Sequence, residues 1–288
     1  MAHEIHLTAR RVVLNSAVMF EPASGASWMF DMMDRGNLVA ALGQQALRNV
    51  VLLKYLLMYP ERTVAYGISH GQDKAFIVIL DASASAYDRE MYPSSKHVVL
   101  ISSDSEALTR RLLDFVPCDG SIVFKLSSEE DRAAVATRFS LRQTAAFHSY
   151  TAHSPFERDP EATIDRAPTE ALMALAESQG QERVWIEKLL AADRAFFCSI
   201  SLADAPVSFC LAFQNFQHVW EVGSVLTLEQ HRGHGYAARV VRTAHAVLAE
   251  RQLMSRYQVQ RDNIASISLA RKIGLKQFLT LRHYMTVS

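Results

Sequence analysis

The stretch EVGSVLTLEQHRGHGYAARVV, residues 221–241, decides how this chain is read. Its first part has the β-rich composition of a strand. Its second part opens a helix whose apolar face is Ala237, Val240, Val241, Ala244, Val247 and Leu248, with Arg239, Arg242 and Glu250 pointing away. Gly233 and Gly235 stand one residue apart where the helix begins. A helix N-terminus offers unpaired N–H groups and the positive end of a dipole, which suit phosphate. Glycines there let the backbone turn its amides toward one anion, and let the anion approach with no Cβ in the way. With Arg232 adding charge at the rim, the pattern predicts a diphosphate site. Gly233-x-Gly235-x-x-Ala238 also fits a dinucleotide fingerprint, with Asp262 near the place of a ribose-binding acid. That fold needs further βα units, whereas one helix and one strand follow here. A glycine turn without a ligand is the third reading.

Working outward, the same order of elements occurs twice. The early segment GNLVAALGQQALRNVVLLKYLL has helical spacing and stops before Pro60. TVAYGIS and AFIVIL flank the turn HGQD as a hairpin. HVVLIS, SEALTRRLLDF, SIVFKL, SEEDRAAVATRF and LRQTAAFHSYTA follow as strand, helix, strand, helix and strand. Residues 153–170 hold three prolines, scattered charges and no apolar period, so they read as a linker. Beyond them come helices to about Ala191, the pair AFFCSISL and VSFCLAFQ, then VWEVGSVLTL, a helix from Tyr236 to about Arg251, RYQVQ, a helix from Asn263 to Ile273, and a closing LKQFLTLRHYMTV. The last strands align without a gap, Leu141-Arg142-Gln143 on Leu275-Lys276-Gln277 and Tyr150 on Tyr284. The expected organisation is two copies of one α+β unit, residues 1–152 and 171–288, joined by the linker.

Composition limits the partners. Of 288 residues, 49% are hydrophobic and 21% charged, and 30 basic residues balance 30 acidic ones. No global field draws the chain to nucleic acid or to an anionic membrane. NVVLLKYLLMYP, broken by Lys54, is far short of the ~20 apolar residues of a membrane span. The N-terminus lacks the pattern of a secretory signal. Cys118, Cys198 and Cys210 have no metal-ligand spacing and read as buried free thiols in a reducing cytosol, so a cytoplasmic location is expected. His231 and His234 lack a third ligand, and no metal is expected.

Two motifs at this spacing carry a family resemblance. EVGSVLTLEQHRGHGYAARVV, with its Gln230-x-x-Gly233-x-Gly235, resembles the acetyl-CoA-binding motif of the GNAT superfamily of N-acetyltransferases, and DNIASISLARKIGL, residues 262–275, is similar to that superfamily's next motif. The resemblance covers the chain from about Arg166 onward; the first half is similar in topology only. It implies two tandem GNAT-like domains, each a mixed, mostly antiparallel sheet flanked by helices. Amides from Arg232 through Gly233, His234, Gly235 and Tyr236 to Ala237 would hold the coenzyme A diphosphate. Backbone groups of Val225, Leu226 and Thr227 would pair with the pantetheine arm, and Asn263 and Ser266 would face that arm near the thiol. From the residues alone, Asn263 is also a good N-cap and Gly274 a good C′ residue.

The resemblance implies acetyl transfer from acetyl-CoA to an amine, on a small molecule or a peptide; a homo-oligomer is left open. An amine must attack uncharged, so its proton needs an acceptor. Strand alternation puts Glu221, Gly223, Val225 and Thr227 on one face, which makes Glu221 the expected base, with His218 behind it. Ala270 stands where many members have a tyrosine that protonates the leaving thiolate, and Tyr284 is the expected substitute. A non-catalytic acyl-CoA-binding regulator is the alternative. In the first copy, LISSDSEALTRR has no glycine. Ser105 and Glu106 there would cap the helix and repel phosphate, so that copy is expected to bind no coenzyme.

Overall fold

The computed structural model describes residues 35–287 and the backbone of three short strands before them, β1 (Val12–Leu14), β2 (Ala17–Phe20) and β3 (Trp28–Asp31). The reading of the extreme N-terminus lies outside the described residues. The chain forms two compact units, and each is completed by a strand from the other half of the sequence.

The first unit comprises Met1–Gln45, Val51–Ala145 and Leu281–Ser288. The early helical pattern becomes α1 (Arg35–Gly43) and α2 (Ala46–Met58), which ends before Pro60. The hairpin is β4 (Thr63–His70) and β5 (Asp73–Asp81), with Gly71 at φ +61° in its turn. After α3 (Ala86–Met91) come β6 (Ser95–Ser103), α4 (Glu106–Leu112), β7 (Ser121–Leu126), α5 (Glu129–Ala136) and β8 (Leu141–Thr151). Neighbours pair antiparallel from β3 to β6, and β6 and β7 pair parallel. Ile77, Val99, Ile101, Leu108, Leu112 and Phe124 lead its core.

The second unit comprises Ala46–Val50 and Ala146–Thr280. It runs β9 (Thr163–Asp165), α6 (Glu170–Ser178), α7 (Arg183–Ala191), β10 (Ala195–Leu202), β11 (Ala205–Phe216), β12 (Val219–Thr227), α8 (Tyr236–Glu250), β13 (Met254–Gln260), α9 (Ile264–Lys272) and β14 (Lys276–Thr286). Its sheet is antiparallel except where β12 meets β13. The two faces bury separate cores. One packs Cys198, Cys210, Trp220, Val222 and Tyr257 against Val240, Val241, Ala244 and Val247 of α8. The other packs Phe197, Phe209 and Leu211 against Leu172, Met173, Ala176 and Ile186 of α6 and α7.

The tandem α+β organisation of the sequence is thus realised with a difference at the final strands. The end of β8 pairs with β13, Tyr150 opposite Tyr257, inside the second unit. The end of β14 pairs with β7, Tyr284 opposite Phe124, inside the first. Residues 281–288 therefore group with the first unit. Nor is 153–170 a free tether. β9 forms an antiparallel edge on β10, and Arg239 of α8 donates to both carboxylate oxygens of Asp159, at 2.7 and 2.8 Å, and to Glu161. Arg239 is therefore a clasp rather than a residue that merely points away. Cys198 and Cys210 are buried as expected and face each other across β10 and β11, while Cys118, in the turn before β7, is exposed.

Two buried histidines couple this fold to pH. His245 on α8 is 1% exposed, its Nδ1 2.6 Å from Ser255 Oγ, and burial lowers its pKa to about 3. His283 is 3% exposed, its Nδ1 2.6 Å from the Tyr92 hydroxyl; burial first, then the Lys125 charge, lower it to about 2. In the unfolded chain both protonate near pH ~6.5. Below that pH the unfolded state binds protons that the folded state refuses. The stability they contribute is therefore full above pH ~6.5 and falls as pH drops, by about 1.4 kcal/mol per unit for each ring. Urea unfolding between about pH 7 and pH 5.5 should show this decline, and His245→Gln should remove about half of it. A flat profile in that window would contradict the assignment.

Candidate active site

The site is built where β12 leaves β13. These parallel strands pair at Val219–Met254, Trp220–Ser255 and Glu221–Arg256, and the pairing stops there. On its other edge β12 stays paired to β11, but Gly223 lies opposite Leu211 while Leu226 lies opposite Phe209. Three steps on one strand against two on the other are a β-bulge. Ser224, at φ +50°, holds the left-handed backbone of that bulge. The edge of β12 facing the gap is therefore left without a partner strand.

The bulge also changes which side chains share a face. Val225 packs with the α8 core, whereas Leu226 packs with the α6–α7 core. Glu221, opposite Phe213, lies on the α6–α7 face. The expected alternation of Glu221, Gly223, Val225 and Thr227 on one face therefore holds only to Gly223, because the extra residue inverts the pleat.

Glu221 is not a free carboxylate. It is 7% exposed; its Oε2 accepts from Arg256 Nη1 at 2.8 Å and from Asn215 Nδ2 at 2.7 Å, and its Oε1 accepts from the Gln258 backbone N–H at 3.0 Å. That N–H lies just beyond the last β12–β13 pair. Glu221 thus satisfies the backbone that the parting strand leaves behind. The carboxylate expected to act as base is thus a buried, triply hydrogen-bonded group that braces the parted strands. Arg256 is 3% exposed and also donates from Nε to Ser149 Oγ at 3.3 Å. Sequence reasoning missed Asn215, Arg256, Gln258 and the bulge at Ser224. Arg256 alone carried a signal, a charge within an otherwise strand-like run.

Tyr284, the expected proton donor, lies on the end of β14. It belongs to the first unit and packs in that unit's core, 6% exposed, because the final strands are exchanged. The second unit has Tyr150 at the aligned position, opposite Tyr257. Tyr257 is 2% exposed on the α8–α9 face, and burial raises the pKa of its hydroxyl, with Ser266 of α9 as a neighbouring partner. Ala270 is buried in the same core. Asn263 caps α9, its Oδ1 accepting from the Ser266 N–H at 3.0 Å. The expected runner-up base His218 sits in the turn between β11 and β12, where its carbonyl accepts from Met254.

The glycine loop has the conformation its sequence requires. Gly233 and Gly235 have φ of +83° and +80°, and a Cβ at either would meet nothing within 4 Å, so the backbone there is open to approach. The backbone N–H groups of Gly233, His234, Gly235, Tyr236 and Ala237 have no acceptor among the described residues. Helices α3, α4, α5, α6 and α9 are capped by the side chains of Ser85, Ser105, Ser128, Thr169 and Asn263; α8, the longest, has Gly235 at its cap and no side-chain bond. Successive amides around left-handed glycines at a helix N-terminus form an anion-binding concavity. Arg232, exposed at the rim, donates from Nε to the Thr227 carbonyl at 3.3 Å. The Leu226 carbonyl accepts from Ser208, and Thr227 Oγ1 lies 2.8 Å from Ser208 Oγ. His234 stacks on Tyr236, with centroids 5.8 Å apart. Among the described residues no group of His, Cys, Asp and Glu forms a metal set, His231 and His234 included.

Residues 162–275 match the family model of the Acetyltransferase (GNAT) family. This segment is a GNAT acetyltransferase domain. An acetyltransferase from Colwellia psychrerythraea shares 12% identity at TM-score 0.58, covering 90% of this chain and 99% of its own. A GCN5-related N-acetyltransferase from Sphaerobacter thermophilus shares 12% at TM-score 0.57, covering 90% and 95%. A tandem GNAT protein from the clavulanic acid biosynthesis pathway shares 11% at TM-score 0.50, covering 90% and 98%. At such identities the likeness carries the fold alone. No curated protein matches the chain. The GNAT domain thus lies within the second unit and contains the glycine loop from which the sequence reading began.

If Glu221 braces the parted strands of the GNAT domain, Glu221→Gln should leave the Arg256 charge buried and unbalanced, at a cost of about 3 kcal/mol or more. Replacing both, Glu221→Met with Arg256→Leu, should cost clearly less than the two single changes added together. Urea denaturation of the wild type, Glu221→Gln, the Met and Leu single variants and the double variant measures this, and additive losses would contradict the brace.

Proposed function

We propose that this protein is an acetyl-CoA-dependent N-acetyltransferase acting on an amine, with one coenzyme site per chain, in the second unit. The observation that carries the reading is the uncapped start of α8 beside the unpaired edge of β12. The diphosphate sits on the amides of residues 233–237 with Arg232 at its rim. The pantetheine arm follows the edge of β12 at Val225, Leu226 and Thr227 that has no partner strand, into the gap toward β13, with Asn263 and Ser266 across from it.

In this reading the amine nitrogen attacks the thioester carbonyl carbon, an N–C bond forms, and the C–S bond breaks. Since Glu221 is held by three donors, the acceptor gives up its ammonium proton to solvent before it attacks. As the C–S bond breaks, the nitrogen sheds its second proton to solvent and the departing sulfur takes one from Tyr257, which burial keeps protonated and which Ser266 neighbours; solvent then returns a proton to the Tyr257 oxygen, so that the net transfer is from nitrogen to sulfur. A thiol of pKa ~8.5 is already a tolerable leaving group, so this donor assists a step that is feasible without it. The acceptor is a small molecule or a peptide. A cytoplasmic location belongs to the same reading; among the described residues no helix is long and apolar enough to cross a membrane.

The first unit binds no coenzyme in this account. Ser105 Oγ accepts from the Leu108 N–H and Glu106 occupies the first turn of α4, so the place of the anion is taken. Aligning Tyr150 with Tyr284 makes Tyr257 equivalent to Phe124, and Glu221–Arg256 equivalent to Val98–Val123. In the first unit pairing continues past that point, through Val99–Phe124 and Leu100–Lys125. Its sheet is closed where the second unit's is open.

Calorimetry with acetyl-CoA should give one site per chain. Gly235→Asp should weaken it by well over tenfold, since ~1.4 kcal/mol is already that factor. Two sites, or unchanged affinity in a folded variant, would contradict the reading. Thiol release with a panel of amines separates an enzyme from a coenzyme-binding regulator, which would release none. Once turnover is found, the acidic limb of kcat/KM should follow the pKa of each acceptor as acceptors are exchanged. A limb fixed at one pH for all acceptors would instead require a base in the protein.

A further inference from the structure

Gly223 is a glycine that neither backbone nor packing demands. Its φ lies outside the left-handed region, and an added Cβ would touch only Glu221 Cγ and Phe213 Cε1, both at an ordinary 3.9 Å. In a strand, a glycine of this kind weakens pairing and marks a place where something else approaches closely. It is the second residue beyond the last β12–β13 pair, and it precedes the bulge. Its missing side chain leaves a notch on the α6–α7 face, the face opposite α8.

The walls of the notch are aromatic. Phe213 flanks it, and Trp185 of α7 meets the Phe213 ring edge to face, with centroids 5.1 Å apart and planes at 77°. Gly223, Phe213 and Trp185 are all partly exposed, although their neighbours Leu211 and Ile186 are fully buried. The carboxylate of Glu221, next to Gly223, is paired with Arg256.

We infer that this notch is the acceptor subsite, and that the acceptor is an amine carried on a flat aromatic body, its ring seated on Trp185 and Phe213 and its nitrogen directed past Gly223 into the gap. The inference rests on the proposed transfer reaction for its chemistry and on the notch alone for its ligand class. Rings of this kind favour edge-to-face and offset stacking with an aromatic guest.

The test uses the whole chain with coenzyme A bound, and compares phenylethylamine with spermidine and with an acidic peptide. Phenylethylamine should bind by calorimetry and, with acetyl-CoA, should have the lowest KM of the three. Trp185→Ala should raise its dissociation constant and KM at least tenfold while acetyl-CoA affinity is unchanged. Gly223→Val should fill the notch and do the same, with Gly223→Ala giving a smaller effect in a folded protein. Preference for spermidine or the peptide would overturn the inference, as would equal phenylethylamine binding in the variants or no binding at all. Binding that responds to Trp185 and Gly223 without any transfer would keep the notch and sink the transferase reading.

Discussion

The organisation of the second unit depends on the interaction between Glu221 and Arg256 at the last pair of the parallel ladder. Two strands that part inside a folded sheet leave backbone donors and acceptors without partners, and each such group costs free energy when buried. Glu221 takes one of them, the Gln258 N–H, while Arg256 and Asn215 hold the carboxylate in place. The bulge at Ser224 then turns β12 so that its free edge keeps running past the gap. A buried ion pair is a poor source of net stability, because desolvation offsets most of the attraction. Its value here is geometric. It ends the ladder at one residue pair and leaves the following backbone available.

The first unit supplies the control within the same chain. It has the hairpin, the parallel pair and the helix after the first strand of that pair, yet Val98 and Val123 stand where Glu221 and Arg256 stand in the second unit. The ladder accordingly continues to Leu100–Lys125. Lys125, at the last of those pairs, is buried in an ion pair with Asp88 at 2.7 Å, which also accepts from Tyr55 at 2.6 Å. Helix α4 is capped by a serine where α8 is left bare. The differences between the copies thus fall on the features a coenzyme would need, while the apolar core persists in both.

Much of this was legible in the sequence. The change of hydrophobic period on either side of the glycines placed β12 and α8, because period depends only on which face is buried. The left-handed glycines followed from their spacing at a helix start. The exchange of the final strands was not legible: Leu141–Thr151 and Lys276–Thr286 have matching patterns, so either satisfies either sheet, and the choice between them is made by tertiary packing. Placing Tyr284 in the second unit failed for that reason. The face of Val225 was misjudged because a bulge at a serine leaves no mark on composition, and it inverts every side chain beyond it. The ion pair of Glu221 was not legible because its partner Arg256 lies on the adjacent strand, beyond the reach of local pattern.

The central claim is that the parted edge of β12 and the bare start of α8 form a single coenzyme site, and that the first unit has no counterpart. Amide hydrogen exchange, with and without coenzyme A, addresses both halves in one measurement. Residues 225–227 and 233–237 should gain protection together on addition of coenzyme A, while residues 99–108 of the first unit should not change. Protection confined to the first unit, shared equally by both, or absent from the glycine loop would contradict the account.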